Sequence, residues 1–321
     1  MPAVDSLPVA GAPAVAPVPA TRPRLLRDLI QLSRPTHWVK SLLVVPVPLL
    51  ETPVWTVDIL VRLGWAVGVF VLASSAVYVG NDLADRQRDR NHPVKRHRPI
   101  AAGRVPVPLA WLYCALLLGA LAWLLLTGPP GHAGPVLGYL VLNVAYSRGL
   151  KHVPLVEAGA VALGFVLRVA QGYLATGGAV SGWLLVTVFA GCLLLVIGKR
   201  RQELLDSGPA HRPALRGYTV ELAGHLVQLT SVLAVTAGLV YLRTEAPLAG
   251  YGEAAMLLST PIVLYLTSRY LQLALVGRAA GDPVRLLLRD RAVLVTGLLW
   301  GVLLAGLLAA ARIPALTALL P

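Results

Sequence analysis

The chain has 321 residues, of which 56% are hydrophobic and 13% are charged, and its formal net charge is +13. Its mean hydropathy of +0.70 is far above the balance of a soluble domain, which excludes a soluble globular protein and predicts a polytopic membrane protein. The positive charge does not indicate nucleic-acid binding, because no basic stretch carries interleaved stacking aromatic residues on a soluble module.

The N-terminal part, residues 1–28, is predicted to be a disordered cytoplasmic leader. It is rich in Ala, Pro and Val and lacks the basic start that secretory signals carry. The remaining chain, residues 29–321, is predicted to form a single transmembrane domain.

About nine apolar segments are candidates for crossing a hydrocarbon core, although the fourth is short. Gly and Pro interrupt the fourth segment, which leaves eight as the alternative count. The predicted fold class is therefore all-α, a polytopic membrane bundle of about nine transmembrane helices. The segments lie near residues 39–57, 59–80, 107–127, 133–147, 153–175, 181–198, 224–243, 253–275 and 291–311.

Most of the 28 Lys and Arg residues lie on one side of these segments. They cluster in the N-terminal flank and in the loops after the second, fourth, sixth and eighth segments. Because Lys and Arg collect in cytoplasmic loops, the N-terminus and these loops are predicted to be cytoplasmic in a multi-pass protein of the cell membrane. The same charges would attract anionic lipids or phosphorylated substrates.

A concentration of charge follows the second segment, between Asn81 and Gly103. Asp82, Asp85 and Asp89 are spaced i, i+3 and i+7, so a continuous helix would place all three carboxylates on one face. Carboxylates stacked in this way repel each other unless a cation holds them. The natural cation is Mg²⁺, which takes a few carboxylate oxygens and completes its shell with water and substrate phosphates.

A basic loop comes directly after these aspartates. Lys95, Arg96 and Arg98 lie between Pro93 and Pro99. An acidic helix face followed by a basic loop suits a Mg²⁺–diphosphate, since the metal clamps phosphate oxygens and the cations neutralise the leaving group. The alternative interpretation is a solvated helix end whose charges pair only with one another, which stabilises a helix slightly.

Two charged residues lie inside the fifth segment. Glu157 and Arg168 are separated by about three turns and point in nearly the same direction on one helix. Each is costly in hydrocarbon and needs either a partner or a water-filled cavity. They therefore either line a pocket or belong to interhelical ion pairs that orient the bundle.

The segment Asn81-Asp82-x-x-Asp85-x-x-x-Asp89 resembles the first aspartate-rich motif of the UbiA superfamily, integral membrane transferases that act on polyprenyl substrates. The resemblance runs from about residue 30 to about residue 305. Within that superfamily, the chain is most similar to the decaprenyl-phosphate phosphoribosyltransferase family. The other similar segments are Arg34-Pro35-x-x-Trp38-Val39-Lys40, Arg96-x-Arg98-Pro99-Ile100-Ala101-Ala102-Gly103, Tyr146-Ser147-x-x-Leu150-Lys151, Gly164-Phe165-Val166-Leu167-Arg168, Gly198-Lys199-Arg200-x-x-Glu203 and Asp282-Pro283.

The resemblance implies an activity and a set of site residues. It implies transfer of the 5-phosphoribosyl group from phosphoribosyl diphosphate to a polyprenyl phosphate, with release of diphosphate and with Mg²⁺ as cofactor. It implies catalytic roles for Lys40 and for the metal ligands Asp82, Asp85 and Asp89. It implies substrate binding by Asn81, Lys95, Arg96, Arg98, Tyr146, Lys151, Glu157, Arg168, Lys199, Arg200 and Glu203. The oligomeric state, including a homo-oligomer, stays open.

Two other functions are weighed against this one. An aromatic prenyltransferase of the same superfamily is expected to carry a second aspartate cluster after the sixth span, where this chain has the basic run from Lys199 to Glu203. That run favours two anionic substrates. A transporter would be expected to show an internal inverted repeat, which this sequence lacks. In a structural membrane protein the aspartates would only bind surface cations.

Overall fold

The regular elements are helices throughout the computed structural model, which describes residues 25–45, 52, 55–129, 131–208, 212–276, 287 and 289–313. The all-α prediction is confirmed. The described α-helices are α1 (Leu25–Leu32), α2 (Val57–Ala84), α3 (Arg86–Arg90), α4 (Val107–Thr127), α5 (Gly134–Arg148), α6 (Val156–Thr176), α7 (Gly182–Ser207), α8 (Val220–Thr244), α9 (Gly252–Leu271) and α10 (Arg291–Arg312). Short 3₁₀ segments lie at Pro35–Val44, Lys95–His97, Leu150–His152, Pro213–Gly217 and Ala249–Tyr251, and a π-helical turn lies at Gln272–Val276.

Six of the described helices are long and apolar enough to cross a membrane, namely α2, α4, α6, α7, α8 and α10. The chain is therefore a multi-pass membrane protein, but the predicted count of nine spans is not confirmed. The segment predicted at 133–147 is α5, which has only 15 residues. The segment predicted at 253–275 is α9, which has 20 residues and continues into the π-helical turn.

The predicted first span is corrected where the structure describes it. Its opening part belongs to the 3₁₀ segment Pro35–Val44 and not to an α-helix. Pro46 and Pro48 follow directly in the sequence. The rest of the predicted span, residues 46–51, 53 and 54, lies outside the described residues.

The end of the predicted leader is helical, which corrects the prediction of disorder for residues 25–28. Residues 25–28 lie in α1, and the carboxylate of Asp28 is buried and accepts a hydrogen bond from Arg104 Nε at 2.9 Å. The rest of the predicted leader, residues 1–24, lies outside the described residues, as does the predicted motif Asp282-Pro283. The single domain over residues 29–321 stays a prediction.

Helix α6 takes part in both halves of the bundle. On one side, a core centred on α2 joins Phe70 and Ala73 to Tyr139 of α5 and Ala175 of α6. On the other side, Ala158 of α6 packs in a core with residues of α7, α8 and α9. Half of the apolar window of α6 is buried, whereas none of the window of α10 is. The charged residues of α6 therefore lie in the interior, and α10 has its apolar surface open to lipid.

Polar side chains fix where the long helices begin. The side chains of Thr56, Ser181, Thr219 and Asp290 each accept a hydrogen bond from the backbone N–H three residues ahead. These caps satisfy N–H groups that have no partner inside the helix. At its other end, α2 runs directly into the aspartates.

Candidate active site

Three aspartates lie where α2 ends. Helix α2 stops at Ala84, Asp85 separates it from α3, and Asp89 lies within α3. Asp82 and Asp89 are buried, whereas the side chain of Asp85 is 33% exposed. The prediction that one continuous helix face carries all three carboxylates is wrong, because the helix is interrupted at Asp85.

Asp82 and Asp89 nevertheless lie together, because one arginine contacts both of them. Arg98 Nη1 donates to Asp82 Oδ1 at 3.0 Å and to Asp89 Oδ2 at 2.7 Å. The two carboxylates thus share one guanidinium nitrogen. This pairing offsets part of the cost of burying two negative charges.

Arg34 is the second cation at Asp82, and it is not one of the predicted site residues. Its Nη2 donates to Asp82 Oδ1 at 2.6 Å, and its Cζ lies 4.8 Å from the centre of the Tyr78 ring. Its backbone has φ of 50°, in the left-handed region that non-glycine residues seldom adopt. Such strain persists where surrounding contacts fix it and clusters at functional sites. The available signal was the segment Arg34-Pro35-x-x-Trp38.

Only one of the three basic residues predicted in the loop contacts the aspartates. Arg98 contacts the aspartates, but Lys95 is exposed and Arg96 is half-buried, with its Nε 3.4 Å from His97 Nε2. Among the described ion pairs, neither Lys95 nor Arg96 is joined to the aspartates. They lie at the rim of the site, where a positive charge attracts anions without holding them.

Residues at the end of α5 and in the segment after it contact the aspartate end of α2. Lys151 Nζ lies 3.8 Å from Asp85 Oδ1, and the Ser147 hydroxyl is 2.7 Å from Asn81 Oδ1. Asn81 and Lys151, which come from distant parts of the sequence, are therefore brought to the same helix end. Asp85 has only this lysine and Arg88, 3.4 Å away, as its described ionic partners.

Glu157 forms the interhelical ion pair that was one of its two predicted roles. Arg200 binds it through two contacts, Nε to Oε1 at 2.6 Å and Nη2 to Oε2 at 2.9 Å. Arg200 Nη1 also donates to both carboxylate oxygens of Glu203, at 3.0 and 2.9 Å. Arg212, which no sequence signal marked, lies 3.9 Å from Glu157 and from Glu203. Three predicted substrate ligands are thus paired mainly with one another.

A cavity of about 150 Å³ is lined by residues of α2, α5, α6 and the segment Pro35–Val44. Two cationic side chains, Lys40 and Arg168, line it. Tyr78, Tyr139 and Tyr146 also line it. The structure therefore brings Lys40, Tyr146 and Arg168 of the predicted set to one cavity.

His37 lies among positive charges on the side of the protein that is predicted to be cytoplasmic. Burial lowers the pKa of His37 below its ordinary value of 6.5, and the positive charges of Lys40, Arg34 and Lys199 lower it further. Its Nδ1 lies 3.3 Å from the Tyr78 hydroxyl. Lys199, an exposed residue of the predicted set, thus contributes to the same positive field. His37 is neutral at pH 7.

The stability of the protein is expected to fall in acid partly through His37. Its folded-state pKa is below its unfolded-state pKa, so the unfolded chain binds more protons as pH falls through about 6.5. The stabilising contribution is present above that pH and is lost below it. Thermal denaturation between about pH 7.5 and about pH 5.5 should show a smaller loss for His37→Gln than for the wild type. Equal losses would contradict this assignment.

The donor set suits Mg²⁺ in kind, because that ion takes carboxylate oxygens and uses one or two carboxylates together with substrate phosphates. Among the described residues, however, no three acidic, histidine or cysteine side chains are grouped closely enough to hold a metal. Asp82 and Asp89 have arginine partners in place of a metal. A preformed three-aspartate centre is therefore absent from the described part of the chain, whereas a site completed by substrate phosphates is compatible with it.

Comparison with known proteins places these residues in a family. A model of the UbiA prenyltransferase family matches residues 51–276. A decaprenyl-phosphate phosphoribosyltransferase from Mycobacterium tuberculosis is 35% identical over 288 residues, which cover 86% of this chain and 92% of the relative. One of the same name from Mycolicibacterium smegmatis is 30% identical over 296 residues, covering 86% and 91%.

The fold is shared with a solved membrane protein. A UbiA homologue from Archaeoglobus fulgidus, whose structure is bound to GPP and Mg²⁺, superposes with a TM-score of 0.62. The alignment covers 90% of this chain and 99% of that one, at 20% sequence identity. At this identity the likeness shows the fold alone, and it agrees with the helical architecture described above.

Proposed function

Because this chain belongs to the UbiA prenyltransferase family, we propose that it transfers the 5-phosphoribosyl group from phosphoribosyl diphosphate to a polyprenyl phosphate of the decaprenyl type, releasing diphosphate. One observation carries the proposal, namely that Arg34 and Arg98 pair with the aspartates at the end of α2, one turn beyond Tyr78, which lines a cavity together with Lys40 and Arg168. Such a site is suited to two phosphorylated substrates. The names of the relatives support the same reaction.

We place the reaction at the cytoplasmic face of the cell membrane. The support is the distribution of Lys and Arg, which favours a cytoplasmic N-terminus and cytoplasmic loops at the aspartate end of α2. A water-soluble diphosphate reaches the site from that side, and the rim residues Lys95, Arg96 and Lys199 raise its local concentration. The lipid tail of the acceptor remains in the bilayer.

The donor diphosphate binds at the aspartate end of α2 in this proposal. Asp85, with Asp82 and Asp89, would hold Mg²⁺, which supplies charge neutralisation of the phosphate oxygens. Arg98 and Arg34 exchange carboxylate partners for phosphate oxygens, because a guanidinium binds either group with the same pair of N–H donors. The site thus binds the diphosphate with side chains that are already in place.

The chemistry follows from the charges of the two substrates. The acceptor phosphate is anionic at neutral pH, so its oxygen can attack ribose C1 without a strong general base. The new C1–O bond forms as the C1–O bond to diphosphate breaks, with inversion at C1. Arg98, Arg34 and Lys151 stabilise the charge that develops on the departing diphosphate, and Lys40 neutralises the acceptor phosphate.

The direct test is a transfer assay. Purified protein is incubated with radiolabelled phosphoribosyl diphosphate, a polyprenyl phosphate and Mg²⁺, and the lipid fraction is counted. Labelled lipid that requires all three components is the expected result. An unlabelled lipid fraction, together with prenylation of a phenolic acid from a prenyl diphosphate, would instead identify an aromatic prenyltransferase.

Replacing Arg98 should lower kcat/KM for phosphoribosyl diphosphate more than replacing Lys95 does. Arg98→Gln removes the group that contacts both buried aspartates, and we expect a 10- to 100-fold loss in kcat/KM for phosphoribosyl diphosphate, on the order of one charged hydrogen bond. Lys95→Gln removes a rim charge, and its effect should be about threefold at low salt and vanish at high salt. Measuring kcat/KM against ionic strength for both variants checks this. Equal losses would show that Lys95 contacts the substrate.

A further inference from the structure

Arg168 is a buried cation without a described carboxylate partner. It lies in the interior of α6 with 4% of its surface exposed. Its Nη1 donates to Gly164 O at 2.7 Å and its Nη2 to the Tyr139 hydroxyl at 3.1 Å, but its Nε has no hydrogen-bond partner. None of the ion pairs in the described part of the chain includes it.

Aromatic rings surround this guanidinium but do not neutralise it. Its Cζ lies 5.4 Å from the ring centre of Phe70, 4.6 Å from that of Tyr139 and 5.5 Å from that of Phe165. Cation–π contacts are weaker than a counter-ion in a desolvated place. A charge held at this depth of a membrane bundle is expected to meet an anion.

The cavity beside Arg168 is large enough for such an anion. Its volume of about 150 Å³ is several times the share of about 30 Å³ that one water molecule takes in the liquid. Lys40 contributes a second positive charge, and Asn143 and Tyr146 contribute polar groups to the same lining. This combination of donors matches the oxygens of a phosphate group.

Arg168 faces a part of α2 that is remote from the aspartates. Its guanidinium lies over the Phe70 ring, and Phe70 precedes Asp82 in α2 by more than three turns, or about 18 Å along the helix axis. Tyr78, one turn before Asp82, lines the same cavity. The lining of the cavity therefore includes both a residue one turn from Asp82 and a second positive centre at Arg168.

We propose that this cavity is a separate subsite for a phosphomonoester, with Arg168 as its main cation. The proposal rests on the proposed function, whose two substrates each carry one such group, the 5-phosphate of the donor and the phosphate of the lipid acceptor. Both groups have the same chemistry. Binding measurements with each monoester distinguish the two sources.

The test measures binding to the purified full-length protein. The probes are ribose 5-phosphate, decaprenyl phosphate, and inorganic diphosphate with Mg²⁺. Arg168→Gln should weaken binding of one of the two monoesters by about 10- to 100-fold, while diphosphate binding changes by less than about threefold. Loss of ribose 5-phosphate binding identifies the donor, and loss of decaprenyl phosphate binding identifies the acceptor. Arg168→Lys should retain part of the affinity.

A matched control is Arg269→Gln, which removes another arginine of the bundle at a distance from the cavity. Arg269 pairs with Asp290 at 2.7 Å and does not line the cavity. It should leave both monoester affinities unchanged. If Arg168→Gln does not fold, Tyr139→Phe retains the ring, removes the hydroxyl that meets Arg168, and should weaken the same monoester.

The outcomes separate this subsite from the proposed reaction. If the wild type labels lipid while Arg168→Gln and Tyr139→Phe bind both monoesters as the wild type does, the subsite is overturned and the reaction stands. A wild type that binds neither monoester also overturns the subsite. If no lipid is labelled but Arg168→Gln loses affinity for a monoester, the reaction is overturned and the subsite stands.

Discussion

Asp85→Asn is expected to lower turnover by about 10²- to 10³-fold, on the order of losing one charged group at a reacting centre, while the protein stays folded. Asp85 is the aspartate best suited to this test. Its side chain is 33% exposed and its ionic partners lie 3.4 and 3.8 Å away. Asparagine keeps its shape, so the change removes the negative charge and little packing.

Asp58→Asn is the matched control for this measurement. Asp58 lies in the first turn of α2, the helix that ends beside Asp85, is 65% exposed, and pairs with Arg62 at 2.8 Å. It should leave turnover within about twofold of the wild type, since exposed ion pairs contribute little. Turnover and the Mg²⁺ concentration for half-maximal activity are measured for both variants. Wild-type turnover in Asp85→Asn would remove Asp85 from the proposed metal ligands.

Glu157→Gln is expected to reduce stability by about 3–5 kcal/mol, the range seen when one partner of a buried ion pair is removed. Glu157 is fully buried, and Arg200 is 5% exposed. The substitution leaves the Arg200 guanidinium with Glu203 as its close partner. Because the pair joins α6 to α7, the loss should appear as a lower unfolding temperature of the whole bundle.

The partly exposed pair of Arg269 and Asp290 provides the comparison. The Arg269 side chain is 33% exposed and that of Asp290 is 12% exposed, so Arg269→Gln should lower the unfolding temperature less than Glu157→Gln does. Thermal denaturation of both variants in the same detergent gives the difference. A Glu157→Gln protein that unfolds as the wild type does but fails to bind phosphoribosyl diphosphate would show that Glu157 acts on the ribose hydroxyls, which was its other predicted role.

Local features of the site could be predicted from the sequence, and contacts between distant segments could not. The spacing of Asp82 and Asp89 placed them correctly on one side, because helical periodicity acts over two turns. The interruption at Asp85 was missed, since aspartate carries no strong signal for a helix end. Arg34 meets Asp82 across 48 residues of sequence, and no periodicity links positions so far apart.

The same limit explains the charged residues inside the bundle. The prediction that Glu157 and Arg168 need partners or a cavity is confirmed, because any charge inside the apolar bundle is costly unless it is paired or solvated. Which arginine meets Glu157 depends on how α7 packs on α6. The 3₁₀ segment Pro35–Val44 could not be predicted either, because apolar composition predicts burial in lipid without distinguishing a regular α-helix from a 3₁₀ segment.

The single nitrogen of Arg98 that joins Asp82 to Asp89 has a consequence for the order of events during binding. Two buried carboxylates with no cation between them would repel and push α3 away from the end of α2. Arg98 keeps them together by donating from one nitrogen to an oxygen of each. In the proposed reaction the same carboxylates would hold Mg²⁺, and the Arg98 guanidinium would lie beside the diphosphate. Because these side chains are gathered before the substrate binds, little of the binding free energy would be consumed in organising the site.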